Sequence, residues 1–191
     1  IDFDNMKNFH ILHIAGTFVM PGLDGKPTEE ILKKAKDIGL ITVLDTVWNA
    51  EVNWLSLIEG TLKYVDYFLP SYEEAKMIVG KENVEKIGDF LLSRGVGNVG
   101  IKMGEKGSYI VNSKEKYYFP ALNVDVVDTT GAGDGYVAGF IAGIVNNYNF
   151  EKCGLLANVV GAKITTSVGA TSGIISWDDL KNFWTKYDIK I

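Results

Sequence analysis

Along the first half of the chain, short apolar runs alternate with stretches of helical periodicity, and this alternation narrows the fold more than any other feature. Phe9–Ala15 (FHILHIA) reads as a buried strand ended by Gly16. A helix is predicted from Thr28 to Gly39, with Thr28 as N-cap and the glycine just past its end. Leu40–Val47 is the next strand, Trp54–Tyr64 a helix, and Val65–Leu69 a strand closed by Pro70. Ser71 caps a short helix through Val79, with Glu73 and Glu74 in its first turn. A helix over Val84–Arg94 then leads into a strand ending near Met103. Strands alternating with helices imply parallel β/α units and a sheet covered on both faces.

The pattern then changes. Gly107–Asn112 and Lys116–Ala121 are expected to form a hairpin around Ser113-Lys114-Glu115, followed by a strand over the β-branched run Val124–Val127. Helices follow over Gly133–Asn146, Phe150–Val168 and Trp177–Tyr187. No repeat, low-complexity tract or long linker interrupts the chain. At 191 residues a single domain is expected, burying about 70% of its unfolded surface.

The densest chemical signal is Asp128-Thr129-Thr130-Gly131-Ala132-Gly133-Asp134, opening into the apolar run Gly135–Ile144. It sets small residues and then a carboxylate at the mouth of a helix. A helix start leaves backbone N–H groups unpaired and carries roughly half a positive charge. Glycine lets an anion approach that backbone. Asp134, in the first turn, could take a proton from an alcohol beside the anion. An isolated G-x-G-D is an ordinary turn whose aspartate favours the helix dipole. The predicted strand before it and the stripe Tyr136, Val137, Phe140, Ile141 and Ile144 after it supply the context of a phosphate cradle.

Two other glycine patterns compete. Gly95-Val96-Gly97-Asn98-Val99-Gly100 matches the dinucleotide pattern by letters, yet it follows a helix and opens a strand, the reverse of what that loop needs. Gly133-x-Gly135-x-x-Ala138 has the right flanks, but a second helix with Glu151 in its first turn replaces the returning strand and its acidic end. No G-x-x-x-x-G-K-[ST] string occurs.

Net charge is −5 without a Lys/Arg cluster, which argues against nucleic acid or an anionic membrane as partner. No apolar run reaches the length of a membrane span, and no secretory start is visible. The single cysteine, Cys153, falls in a helical segment and reads as a small buried apolar side chain. A cytoplasmic setting is the expectation. His10 and His13, three apart on a strand, point to opposite faces and so do not share a metal. The four tryptophans form no stacking platform for nucleic acid and read as packing residues.

The string DTTGAGDGYVAGF, Asp128 to Phe140, resembles the C-terminal motif of the ribokinase-like (PfkB) carbohydrate kinases. The resemblance implies a three-layer α/β/α sandwich with a mostly parallel sheet. It spans the chain but only the C-terminal part of the family pattern, so the N-terminal strands and the substrate lid are expected to be missing. Carried over by position, Asp134 is the general base, and the Gly131, Ala132 and Gly133 amides are the anion hole. Leu69–Ala75 is similar to the family's N-x-x-E segment, which makes Glu74 the glutamate that organises Mg²⁺. There Ser71 stands on the nucleotide side in place of the usual asparagine, although capping alone also explains both residues.

Ile101–Gly107 resembles the nucleotide-binding turn, where Gly104 and Gly107 let the backbone approach and Lys102 reaches a phosphate or else is a solvated lysine. Asn158, Gly169 and Ala170 match the adenine-side wall. Their plain alternatives are a polar residue on an exposed helical face and a helix C-terminal glycine. Asp128 matches a residue that in several relatives helps bind a monovalent cation such as K⁺, or it simply hydrogen-bonds the turn.

The implied activity is ATP-dependent phosphorylation of a sugar, with a homodimer through the absent lid. Its competitors are a non-catalytic nucleotide-binding module and, more remotely, a dinucleotide oxidoreductase. The fragment alone is expected to have little or no kinase activity. Fructose-, ribose-, ketodeoxygluconate- and nucleoside-type acceptors all stay open, with the Asp45–Trp48 region leaning towards a hexose.

Overall fold

The computed structural model describes residues 1–173, 176–187 and 189. The chain forms two compact units, one of Ile1–Ile101 with Ile110–Lys116 and one of Lys102–Tyr109 with Tyr117–Ile191. Six strands, β1 (Ile11–Thr17), β2 (Ile41–Thr46), β3 (Tyr67–Phe68), β4 (Asn98–Lys102), β5 (Ser108–Asn112) and β6 (Lys116–Phe119), lie in sequence order in one sheet. β1–β2, β2–β3 and β3–β4 are parallel, with Ile11 opposite Ile41, Val43 opposite Tyr67 and Tyr67 opposite Asn98. The links from β4 to β5 and from β5 to β6 are too short for a parallel crossover, so those pairs run antiparallel.

In the first unit each predicted strand and helix is present, with ends shifted by a few residues. α1 (Phe3–Met6) precedes β1. α2 (Lys26–Asp37) buries Thr28, Ile31, Leu32 and Ala35, the i, i+3, i+4, i+7 face of one helix. Thr28 is not its cap. Pro27 is pre-set for the first turn, so the helix begins earlier, at Gly25, and the Thr28 hydroxyl donates to the Leu23 carbonyl instead.

α3 (Trp54–Leu62), α4 (Tyr72–Val79) and α5 (Val84–Ser93) complete the crossovers. Right-handed crossovers between strands laid in sequence order put these helices on one face, and each packs on the next. β2 is buried from Thr42 to Thr46, as expected of an inner parallel strand. His10 lies outside the strand and His13 within it. Asp45 ends β2 buried, its Oδ1 accepting from the Thr46 amide at 2.9 Å. Trp48 is half exposed, its ring 5.1 Å from that of buried Trp54.

In the second unit α6 (Ala132–Val145) and α7 (Phe150–Ile164) form the largest helix contact. A stripe of glycines on α6 makes it possible. A β-carbon on Gly135 would fall 2.7 Å from Ile164, on Gly139 2.8 Å from the Ala157 backbone, and on Gly143 2.9 Å from the Cys153 backbone. α8 (Trp177–Lys186) closes a core of Leu156, Val159, Val160 and Leu180. Cys153 is buried as expected, which raises its thiol pKa to about 11.

The Val124–Val127 strand is not formed. This segment is irregular, and the Val127 and Asp128 amides both donate to the Thr165 carbonyl rather than to a neighbouring strand. The β-branched residues supplied propensity without a partner.

Candidate nucleotide-binding site

A cavity of about 630 Å³ lies within the second unit. Its floor is the first turn of α6, where Ala132, Gly133 and Tyr136 face inward. Asn158, Gly161 and Ala162 of α7, with Thr165 just past its end, make one wall, again with helical spacing. Leu122, Val124 and Val126 supply apolar surface on the side formed by Ala121–Val126, with Asn123 among them. Lys102, Gly104 and Gly107 close the rim.

The α6 start is unusual in its chemistry. Its N-cap, Gly131, is left-handed at φ 77° and offers no side chain to the helix. A β-carbon there would meet the Ala170 carbonyl at 2.5 Å, so both conformation and space require glycine. The Ala132 amide donates to Thr129 at 3.2 Å, which commits one of the expected hole donors to the turn. The next two N–H groups, of Gly133 and Asp134, have no acceptor among the described residues. Lys102 Nζ lies 3.6 Å from where a β-carbon on Gly133 would stand. The Lys102 ammonium and two open amides thus lie close together at the positive end of a helix, an arrangement suited to anions. Asp134 is exposed in that same turn.

Asp128 clasps the turn from behind. Its Oδ1 accepts from the Thr130 amide and its Oδ2 from the Gly169 amide, both at 2.9 Å. The Gly169 amide first, then the Thr130 amide and hydroxyl, hold its carboxyl below the usual range. Gly169 and Ala170 therefore back the Gly131 turn and are not among the residues lining the cavity. α7 ends at Ile164, so Gly169 is not its C-terminal glycine either.

Gly107 does line the cavity. Its missing side chain, however, answers to the chain itself, because a β-carbon would lie 1.9 Å from the Phe119 carbonyl. Asn158 is buried rather than on an exposed face.

Ser71 and Glu74 belong to the first unit. There they form a capping box: Ser71 Oγ accepts from the Glu74 amide and Glu74 Oε2 from the Ser71 amide at 2.8 Å. The Thr46 hydroxyl adds a second bond to Glu74 Oε2 at 2.9 Å. Glu74 is 8% exposed, and its Oε1 has no partner among the described residues. No group of three or more His, Cys, Asp or Glu able to hold a metal occurs among the described residues. The side of the cavity formed by Ala121–Val126 was missed by sequence reasoning, which read part of it as a strand.

Residues 1–177 match the pfkB family of carbohydrate kinases. The chain belongs to that family. This pfkB family chain is similar to 2-dehydro-3-deoxygluconokinase of Bacillus subtilis, 26% identical over 181 residues, covering 90% of this chain and 55% of the relative. It is also similar to the ATP-dependent 6-phosphofructokinase of Thermoanaerobacterium thermosaccharolyticum, 27% identical over 190 residues, covering 97% of this chain and 58% of the relative. Among solved structures, the ribokinase of Thermotoga maritima superimposes with a TM-score of 0.80 at 29% identity, covering 97% of this chain and 60% of that one. A putative ribokinase II of E. coli, in complex with ATP and Mg²⁺, shares the fold with a TM-score of 0.84 at 22% identity, covering 97% of this chain and 62% of that one. The fold is thus the ribokinase-like α/β sandwich. The chain spans a little over half the length of these two curated relatives.

Proposed function

We propose that the intact protein transfers a phosphoryl group from ATP to a hydroxyl of a sugar or sugar derivative. Asp134 is the general base and the Gly133 and Asp134 amides are the anion cradle. The observation that carries the reading is the pair of open amides at the start of α6 with the Lys102 ammonium beside them. Family membership and the ATP-dependent phosphofructokinase among the relatives support ATP as donor. The deoxygluconokinase and ribokinase relatives support a sugar-type acceptor.

In this reading the amides and Lys102 hold the charge that spreads over the equatorial oxygens of the transferring group. They are fixed before the reaction, so they need no reorganisation during it. Asp134 takes the proton of the attacking hydroxyl. Asp128 acts through the turn, holding Gly131 in place; with an amide on each oxygen, it has a role that needs no cation. Magnesium, when bound with the nucleotide, neutralises phosphate charge.

Asp134→Asn in the intact protein is expected to lower kcat by about two to four orders of magnitude. Binding of a non-hydrolysable ATP analogue, followed by calorimetry, should survive. Near-wild-type turnover would refute the assignment. Nucleotide binding without turnover on any of a panel of sugars, in the intact wild-type protein, would make it a nucleotide-binding module instead.

A further inference from the structure

Where β1 ends, the backbone adopts a conformation that its own residue resists. Phe18 is left-handed, with φ 85°, a region that a bulky side chain disfavours. Among the described residues only Asn147 shares that sign without being glycine, and asparagine tolerates it. The Phe18 ring is nevertheless 2% exposed, set edge-on against Trp54 with ring centres 4.6 Å apart.

Side chains hold this conformation in place. Asp24 takes one amide on each oxygen, that of Phe18 at 3.0 Å and that of Met20 at 2.9 Å. Asn49, from the loop after β2, donates its Nδ2 to the Phe18 carbonyl at 2.6 Å, while its Oδ1 accepts from the Glu51 amide. The peptide groups on both sides of Phe18 are therefore pinned. The segment lies between Gly16 and Gly25, whose φ values of 80° and 78° give it a permissive joint at each end.

This closed arrangement also leaves polar groups unmet. The Thr17 hydroxyl and the Trp54 indole N–H, on residues 0% and 4% exposed, have no hydrogen-bond partner among the described residues. Thr17 adjoins Phe18 in the chain, and the Trp54 ring meets the Phe18 ring. A buried polar group without a partner, and a bulky residue held left-handed, each cost at least what an ordinary hydrogen bond returns. Three side-chain bonds and one buried ring are thus set against two orphaned groups and a strained backbone. Such near balance is what a two-state element requires.

We propose that residues 16–25 form a latch. It exchanges between this closed state and a minor open state, in which Phe18 leaves Trp54 and regains an ordinary φ. Opening frees the Thr17 hydroxyl and the Trp54 N–H to meet water or a ligand. β1 and β2 run parallel and both end here, and open α/β sheets take ligands beyond the carboxyl ends of their strands. The latch therefore gates that edge of the sheet. The inference is independent of the nucleotide reading, which concerns the other unit.

Hydrogen exchange, followed by NMR in the protein at rising sub-denaturing urea, tests it. The Phe18 and Met20 amides and the Trp54 indole N–H should exchange through one local opening that is insensitive to urea. Their protection should be about tenfold or more below that of the Leu69 amide, which is bonded to the Leu44 carbonyl of β2. Asp24→Ala should lower protection of the Trp54 N–H about tenfold more than that of the Leu69 amide, a split that a merely structural role would not produce. If that variant does not fold, the same comparison in Asn49→Ala decides. Equal losses at the two groups would overturn the latch. So would a wild-type Trp54 N–H with the protection and urea dependence of the Leu69 amide, because it would then open only when the whole fold does.

Discussion

The starts of α4 and α6 are opposite solutions to one problem. At α4, Ser71 and Glu74 trade side-chain and backbone bonds, and the first turn is closed. At α6, Gly131 has nothing to trade, and two amides stay open beside a cavity. Side chains also cap α1, α3, α5, α7 and α8, through Asp2, Asn53, Asn83, Asn149 and Ser176. At α2, Pro27 removes one of the donors that would need a partner. Closure is the habit of the described helices, and α6 is the exception, at the place proposed above to cradle an anion. α2 also starts at a glycine, Gly25, but there Pro27 and the Thr28 amide bond to Leu23 leave less to fill, so it is the combination of a glycine start with open amides that is informative at α6.

Giving α6 the cap that α4 has should have the largest effect. Gly131→Ser combines a left-handed backbone with a collision against Ala170, and an expected loss on the order of 3 kcal/mol should appear in urea denaturation. A variant as stable as wild type would show that the turn is not sterically set. Removing the cap at α4 is milder. Ser71→Ala should cost about 1 kcal/mol, seen as a Tm lower by about 2–4 °C.

The smallest effect concerns the clasp. Because the amides hold the folded-state pKa of Asp128 below the ordinary aspartate value of 3.8, its contribution is complete above that value and fades as pH falls below it. The stability gap between wild type and Asp128→Asn should be constant from about pH 8 to 5 and shrink below about pH 4. A gap that widens on acidification would contradict the amide bonds to its oxygens.

Much of this was legible beforehand because the physics is local. Apolar runs of strand length, alternating with helical stripes, gave the parallel units. Ser71 with Glu74 three residues on spelled the capping box. What failed depended on distant partners. Val124–Val127 has the propensity of a strand, but a strand needs an edge to pair with, and Thr165 took those amides instead. Thr28 looked like a cap because a threonine before acidic residues usually is one, while Pro27 had already started the helix. The motif marked Asp134 and Gly133, and the resemblance pointed to Asn158. Nothing local announced that Pro120 and Ser108 would hold that carboxamide, since those contacts join residues 38 and 50 positions apart.

The glycine stripe of α6 has a mechanical consequence. With Gly135 laid on the Ile164 side chain, Gly139 on the Ala157 backbone and Val160, and Gly143 on Cys153, α6 brings no side chain of its own to these contacts, and sliding would drive it into α7. The α6 start and Asn158, both lining the cavity, are thereby held at a preset separation. Under the proposed function a nucleotide must match that span rather than reshape it, and amides along the facing stretch should be among the last in the protein to exchange with deuterium.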